Sequence, residues 1–226
     1  MPGHGCRPRP GRRRPYSLPG PDQPEGRLQV APLQGIHLQG VGLQGLLPVA
    51  DHFYFNSPNQ VERFLPAVKG AGGGRKTGVR INPGFSRATL GGDLYDPCSP
   101  RSRFGVLQGD LDGLPWGDID ILHAHALCES LAEGSVGLIE HLSREFRSYI
   151  ERVGAVNFGG GHFLCKEGYD VEALIGAIRA FKARFGVEVI LEPGSGLVAD
   201  AGYLVATVLD VVSNRSEEHT SELQSR

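Results

Sequence analysis

Two stretches of the chain carry residue types suited to chemistry. Asn157-Phe158-Gly159-Gly160-Gly161-His162 follows a short apolar run. Successive glycines let the backbone come close to a bound group and turn N–H groups towards an anion such as a phosphate. The run is not a Walker loop, because no Gly-Lys-Ser/Thr follows, and it is not GxGxxG. By itself it also reads as a tight turn. Glu192-Pro193-Gly194 follows the next apolar run. A carboxylate there can hold a protonated ring nitrogen as an ion pair and keep an aromatic ring electron-poor. It can equally be a surface glutamate before a turn.

His123-Ala124-His125-Ala126-Leu127-Cys128-Glu129 ends a third apolar run. Alternation puts His123 and His125 on one side of an extended segment. Two nitrogens without a third ligand in view make a poor metal site, so no metal is expected. An imidazole stacked on a cofactor ring is the better functional reading, and a hydrogen-bonded core histidine is the other. Arg80, in Val79-Arg80-Ile81-Asn82-Pro83, is a charge inside a strand pattern. A buried arginine needs a partner, and a carboxylate such as Glu192 across the fold is expected to supply it. Ser102-Arg103-Phe104-Gly105 lies in a loop and serves either the site or packing.

Strands and helices alternate around these residues. Strands are expected over 52–56, 78–82, 119–123, 155–158, 187–191 and 203–212. A helix is expected to start after Ser57, with Ser57 as N-cap, Pro58 at the first position and Gln60 closing a capping box, and to run to about Val68. A second is expected from about Ser135 to Val153, on the spacing of Leu138, Leu142, Phe146 and Ile150. A third runs from an Asp170 N-cap to Gly186. Alternation of this kind implies a parallel sheet. Polar or glycine residues follow nearly every strand, at Asn56, Asn82, His123/His125, Gly159 and Glu192. In a barrel such strand ends converge on one face, whereas in an open sheet they spread along an edge, so the barrel is favoured.

Composition narrows the function classes. Residues are 40% hydrophobic and 21% charged, enough apolar material for a packed core. The net charge of -2 argues against nucleic acid or a membrane surface as partner. No apolar run is long enough to span a bilayer. The N-terminal arginines precede no apolar stretch, so no secretory signal is read there. Cys6, Cys98, Cys128 and Cys165 have no CxxC spacing, which suits free thiols in a cytoplasmic protein. Residues 1–46 are rich in Pro, Gly, Arg and Gln, repeat Leu-Gln-Gly, and are expected to be disordered or frame-shifted. Residues 47–213 are expected to form the folded unit. The polar tail 214–226 resembles the translation of a sequencing adapter, and no structure is expected in it.

Taken together, residues from about Asp51 to Val212 resemble carboxynorspermidine decarboxylases, fold-type III pyridoxal-phosphate enzymes related to ornithine and diaminopimelate decarboxylases. The matching motifs are Val79-Arg80-Ile81-Asn82-Pro83, Tyr95-Asp96-Pro97-Cys98-Ser99-Pro100 with Ser102-Arg103-Phe104-Gly105, and His125-Ala126-Leu127-Cys128-Glu129. To these are added Val156 to His162, Glu192-Pro193-Gly194 and Ala201 to Asp210. The resemblance implies a partial (β/α)8 barrel without its first strands or the family's C-terminal β domain. It implies pyridoxal 5'-phosphate as cofactor, with His125 on the pyridine ring, Gly159, Gly160 and Gly161 around the phosphate, Glu192 at the ring nitrogen, and Gly194 and Arg80 alongside. Cys128, Glu129 and His162 are expected near a polyamine substrate, carboxynorspermidine or carboxyspermidine, decarboxylated to norspermidine or spermidine. A homodimer with a shared active site is implied for the full-length family. The family's Schiff-base lysine sits on the first barrel strand, and residues 1–46 contain no lysine. The chain as written is therefore expected to be inactive. The alternatives are a non-catalytic cofactor-binding relative, or a diaminopimelate or ornithine decarboxylase.

Overall fold

In a computed structural model the described residues are 28–29, 43–85, 96–99, 102–199, 201, 202, 205 and 207. The expected strand 203–212 apart from 205 and 207, the tail 214–226 and most of 1–46 lie outside them. Two short elements do occur within 1–46. These are β1 (Leu28–Gln29), which pairs with the next strand, and α1 (Leu43–Leu46).

The remaining strands are β2 (Ala50–Phe55), β3 (Lys76–Arg80), β4 (Ile121–His123), β5 (Ala155–Asn157) and β6 (Glu188–Ile190). All pair in parallel, and their spatial order is their chain order. Between them run α2 (Pro58–Gly70), α3 (Ala132–Glu145), α4 (Arg147–Ile150) and α5 (Val171–Phe185), and α6 (Gly194–Val198) follows β6. Among the described residues no helix is long and apolar enough to cross a membrane.

Alternation along the strands separates two faces. Phe53, Phe55, Leu122 and Val156 join the helix residues Val61, Leu65, Leu138, Leu142, Leu174 and Phe181 in the main core. Each such side chain contributes about 1.5–3 kcal/mol on burial. Their neighbours Tyr54, Ile121 and Ala155, with Ile190, form a second small cluster on the opposite face. Helices on one face and unreversed strand order are the geometry of a barrel wall. A doubly wound sheet would carry helices on both faces and a switch in order.

The helix starts expected at Ser57 and Asp170 are present, and the one expected near Ser135 falls at Ala132. Ser57 Oγ accepts Gln60 N–H, Gln60 Oε1 accepts Asn56 N–H at 2.7 Å, and Asp170 caps α5, which ends on Gly186 at φ 68°. The helix expected over 135–153 is two pieces, broken at Phe146 (φ -113°, ψ 17°). The final turn is drawn towards the 3-10 segments Gln108–Gly113 and Trp116–Asp118. Tyr149 OH donates to Asp112 at 2.9 Å, and its ring meets Trp116 with centroids 5.2 Å apart. Periodicity along one helix does not register such a tertiary pull.

Candidate active site

The strand register sets Arg80 beside His123, His123 beside Asn157, and Asn157 beside Ile190, in one row at the C-terminal ends. The loops that leave this row carry the candidate residues. Glu192 follows β6 by two residues, and its N–H donates to Gly159 O at 2.8 Å, so the two motifs are joined through backbone.

Asn157 is the hub of the site. Its Nδ2 donates to Glu192 Oε1 at 2.8 Å and to Tyr54 OH at 3.0 Å, while its Oδ1 accepts Gly159 N–H at 2.8 Å. Asn157 is wholly buried. Sequence reading placed it inside a motif without a role. The available signal was an amide at the end of an apolar strand, which must find partners when buried.

The glycines are required by the chain's own packing. Gly159 and Gly161 have φ of 66° and 83°. A Cβ on Gly159 would lie 2.7 Å from His125 Cβ, and one on Gly161 would lie 2.1 Å from Leu127 O. A Cβ on Gly160 would meet Glu192 O at 2.8 Å. The loop is thus pressed between the segments after β4 and β6. The bridge between Ser130 and His162 holds it there, with Ser130 N–H donating to Gly161 O at 2.8 Å.

His125 lies in this wall. Its Nδ1 accepts Gly160 N–H at 3.4 Å, a weak contact that a better acceptor can replace. Burial, followed by the charges of Arg80 and His123, pushes its pKa down to about 4, so the imidazole is neutral. His123 is fully buried and likewise held below the ordinary histidine range, by burial first. Its Nε2 is 3.5 Å from Glu192 Oε2, an ion-pair distance without hydrogen-bond geometry. Burial pushes the Glu192 carboxyl up, but the adjacent His123 and the Asn157 donation outweigh it and hold the group below the usual carboxylate range. Neutral His123, 3.5 Å away, acts on the carboxylate as a dipole beside the 2.8 Å donation from Asn157.

Arg80 is buried but does not reach Glu192. Its Nη2 donates to His125 O at 3.1 Å, and its guanidinium lies 4.7 Å from the Phe104 ring centroid. Burial lowers its pKa to about 10, which leaves it charged at neutral pH. The expected pairing is corrected accordingly: Arg80 supports the His125 segment and acts on Glu192 only at longer range. The Ser102 to Gly105 loop lies over β2 and β3, with Asn56 Nδ2 donating to Arg103 O and Gly105 N–H donating to Asn56 Oδ1, both at 2.9 Å.

Cys128 is half-buried and Glu129 exposed, the latter at φ 44°. Burial, then Glu129, raises the Cys128 thiol, which stays protonated at neutral pH. His162 is fully buried and faces α3. Gly194 begins α6, and a Cβ there would meet nothing within 4 Å. Of the chain's four lysines, Lys69 and Lys76 pair with Asp120 at the opposite end of the strands. Lys166 lies 5.5 Å from the Phe163 ring, and Lys182 is on α5.

Structure adds a third group to the histidine pair, since ligand atoms of His123, His125 and Glu192 lie within 4.8 Å of one another. Glu192 Oε1 and His125 Nδ1 each already accept a hydrogen bond from the protein.

This fold is part of a parallel α/β barrel wall. Over three quarters of its length the chain is homologous to carboxynorspermidine decarboxylases. It is 36% identical to the carboxynorspermidine/carboxyspermidine decarboxylase of Campylobacter jejuni over 169 residues, 75% of this chain and 43% of that protein. It is 37% identical to a carboxyaminopropylagmatine decarboxylase of Synechocystis, over 78% of this chain and 45% of that one. The crystal structure of Campylobacter jejuni carboxynorspermidine decarboxylase complexed with norspermidine superposes with a TM-score of 0.63 at 32% identity. That match covers 78% of this chain and 44% of the other. The chain therefore spans less than half the length of the relatives it matches. No family model matches it.

Proposed function

We propose that this chain forms the ring- and phosphate-binding wall of a pyridoxal-phosphate-dependent decarboxylase acting on carboxynorspermidine or carboxyspermidine. One observation carries the reading: Asn157 ties the Glu192 carboxylate to the glycine loop, with His125 packed against that same loop. Orphaned ring nitrogens of buried His123 beside Glu192, and a loop that admits no Cβ, fit an aromatic group bearing an anion. Glu192, kept ionised, would hold a protonated ring nitrogen. Neutral His125 would lie on the ring, and Gly159 to Gly161 would receive the phosphate. When bound, the cofactor supplies the electron sink for breaking the bond to the carboxylate carbon. The protein's part is to orient it, to keep Glu192 charged through Asn157, and to keep His125 neutral through burial. Arg80 fixes the backbone from which His125 projects. Cys128 and the exposed Glu129 follow His125 in the chain and would meet the polyamine, whose ammonium groups suit a carboxylate.

None of the four lysines lies at a C-terminal strand end, so this chain is expected to bind the cofactor reversibly and to turn over no substrate. Titration with pyridoxal 5'-phosphate followed by absorbance tests this. Saturable binding without a borohydride-trappable adduct is expected. Absence of binding sinks the cofactor reading, and carbon dioxide release from carboxynorspermidine by this chain sinks the inactivity reading. The 37% identity to a carboxyaminopropylagmatine decarboxylase gives a second substrate reading. A substrate panel on the full-length enzyme separates the two, and faster turnover of carboxyaminopropylagmatine would decide for the latter.

A further inference from the structure

A buried polar chain stands behind the glycine loop. Tyr169 OH lies 2.8 Å from Ser135 Oγ, and Ser135 Oγ lies 2.8 Å from His162 Nδ1. Ser135 and His162 are 0% exposed and Tyr169 is 9% exposed. Ser135 sits in the first turns of α3, His162 directly follows Gly161, and Tyr169 directly precedes the N-cap of α5. One line of hydrogen bonds thereby connects two helices to the end of the glycine run.

His162 is held on other sides as well. Its backbone bridges to Ser130 in parallel, and Phe163 N–H donates to Ser130 O at 3.1 Å. Burial lowers the His162 pKa, and the Phe158 carbonyl, at the start of the glycine run, opposes that shift. Its Nδ1 is given to Ser135 and its Nε2 is buried without a hydrogen-bond partner, so the ring shows no nitrogen to solvent. Its position suits a strut.

We infer that His162 is a positioning residue, and that the Tyr169–Ser135–His162 chain sets the conformation of the glycine loop and through it the affinity for the phosphate of the cofactor. This replaces a role for His162 beside substrate, and it rests on the cofactor reading above. The chain backs the run at its His162 end, so loosening it frees the phosphate-facing backbone, while the Glu192 carboxylate keeps its Asn157 donor.

Two measurements on the whole chain test this. The first is equilibrium binding of pyridoxal 5'-phosphate and of pyridoxal, which lacks the phosphate. Ser135→Ala and Tyr169→Phe are expected to weaken the phosphorylated form by about fivefold to tenfold, the scale of one net hydrogen bond. Pyridoxal should change by less than about twofold, and Ser135→Thr, which keeps the hydroxyl, should restore binding. Equal loss for both ligands overturns the phosphate-specific role. The second is amide hydrogen exchange at Gly159, Ser130 and Phe163, read without cofactor. Both deletion variants should exchange faster there than elsewhere in the sheet. Unchanged protection in both variants overturns the strut. Tyr169→Phe removes a single oxygen and guards against a folding failure of Ser135→Ala. Should the unmodified chain bind no pyridoxal 5'-phosphate, the cofactor reading and the phosphate-affinity claim fail together, while exchange still decides the strut.

Discussion

Asn157 and Glu192 are joined by a 2.8 Å hydrogen bond from an amide with no exposure to a carboxylate at the mouth of the site. Because Asn157 also accepts Gly159 N–H and donates to Tyr54, one side chain couples the carboxylate, the loop and the sheet interior. Asn157→Ala leaves three partners short. It is expected to cost about 1–3 kcal/mol, measured by urea denaturation, and to weaken cofactor binding. A denaturation midpoint equal to that of the unmodified chain would contradict the hub assignment.

Glu192→Gln keeps the shape and removes the charge. Affinity for pyridoxal 5'-phosphate should fall about tenfold or more, as for loss of a charge-assisted hydrogen bond. Absorbance titration reads this directly. Folding stability should change much less, since Asn157 can still donate to the amide oxygen.

Gly161→Ala sets a methyl group 2.1 Å from Leu127 O on a backbone at φ 83°. A loss of about 2 kcal/mol or more is expected from the combined clash and strain. Gly176→Ala, in mid-α5 with nothing within 4 Å, should instead stabilise by about 0.5–1 kcal/mol. Paired denaturation curves check the opposite signs.

Stability should depend on pH through His125. Its pKa is lowered from 6.5 to about 4 in the folded chain, so the unfolded chain binds the proton first. The contribution is complete above pH 6.5 and is lost as pH falls from there to about 4. The lowered His123 and Glu192 act with the same sign, Glu192 below its ordinary value of 4.5. Denaturant midpoints from pH 8 to pH 4 should be level and then fall, and His125→Phe should flatten the upper part of the decline.

Asp120 closes the other end of the sheet. Its Oδ2 accepts Thr77 N–H at 2.9 Å and Thr77 Oγ1–H at 3.1 Å, with Lys69 at 3.2 Å. Burial raises this carboxyl, and Thr77 and Lys69 more than reverse that. Asp120→Ala should destabilise by about 1–2 kcal/mol and leave cofactor affinity within about twofold. A selective loss of affinity would show that the two ends of the strands are coupled.

The sequence by itself determined a good deal. Ser57, Pro58, Gln60 and Asp170 specify helix starts through local hydrogen bonds and fixed φ, and alternation of apolar runs with these helices specifies a parallel sheet. Such interactions span a few residues and are legible along the chain. The motif residues Gly159 to Gly161, Glu192 and His125 were also legible, because their types are unusual after apolar runs. Tertiary structure alone decided their relations. It placed Arg80 on the His125 carbonyl instead of Glu192, made Asn157 the hub, turned His162 towards Ser135, and broke the helix at Phe146 for Tyr149 and Asp112. Each of these depends on which strands and helices come to lie side by side, and contacts between residues 27 to 103 positions apart leave no period or spacing in the sequence.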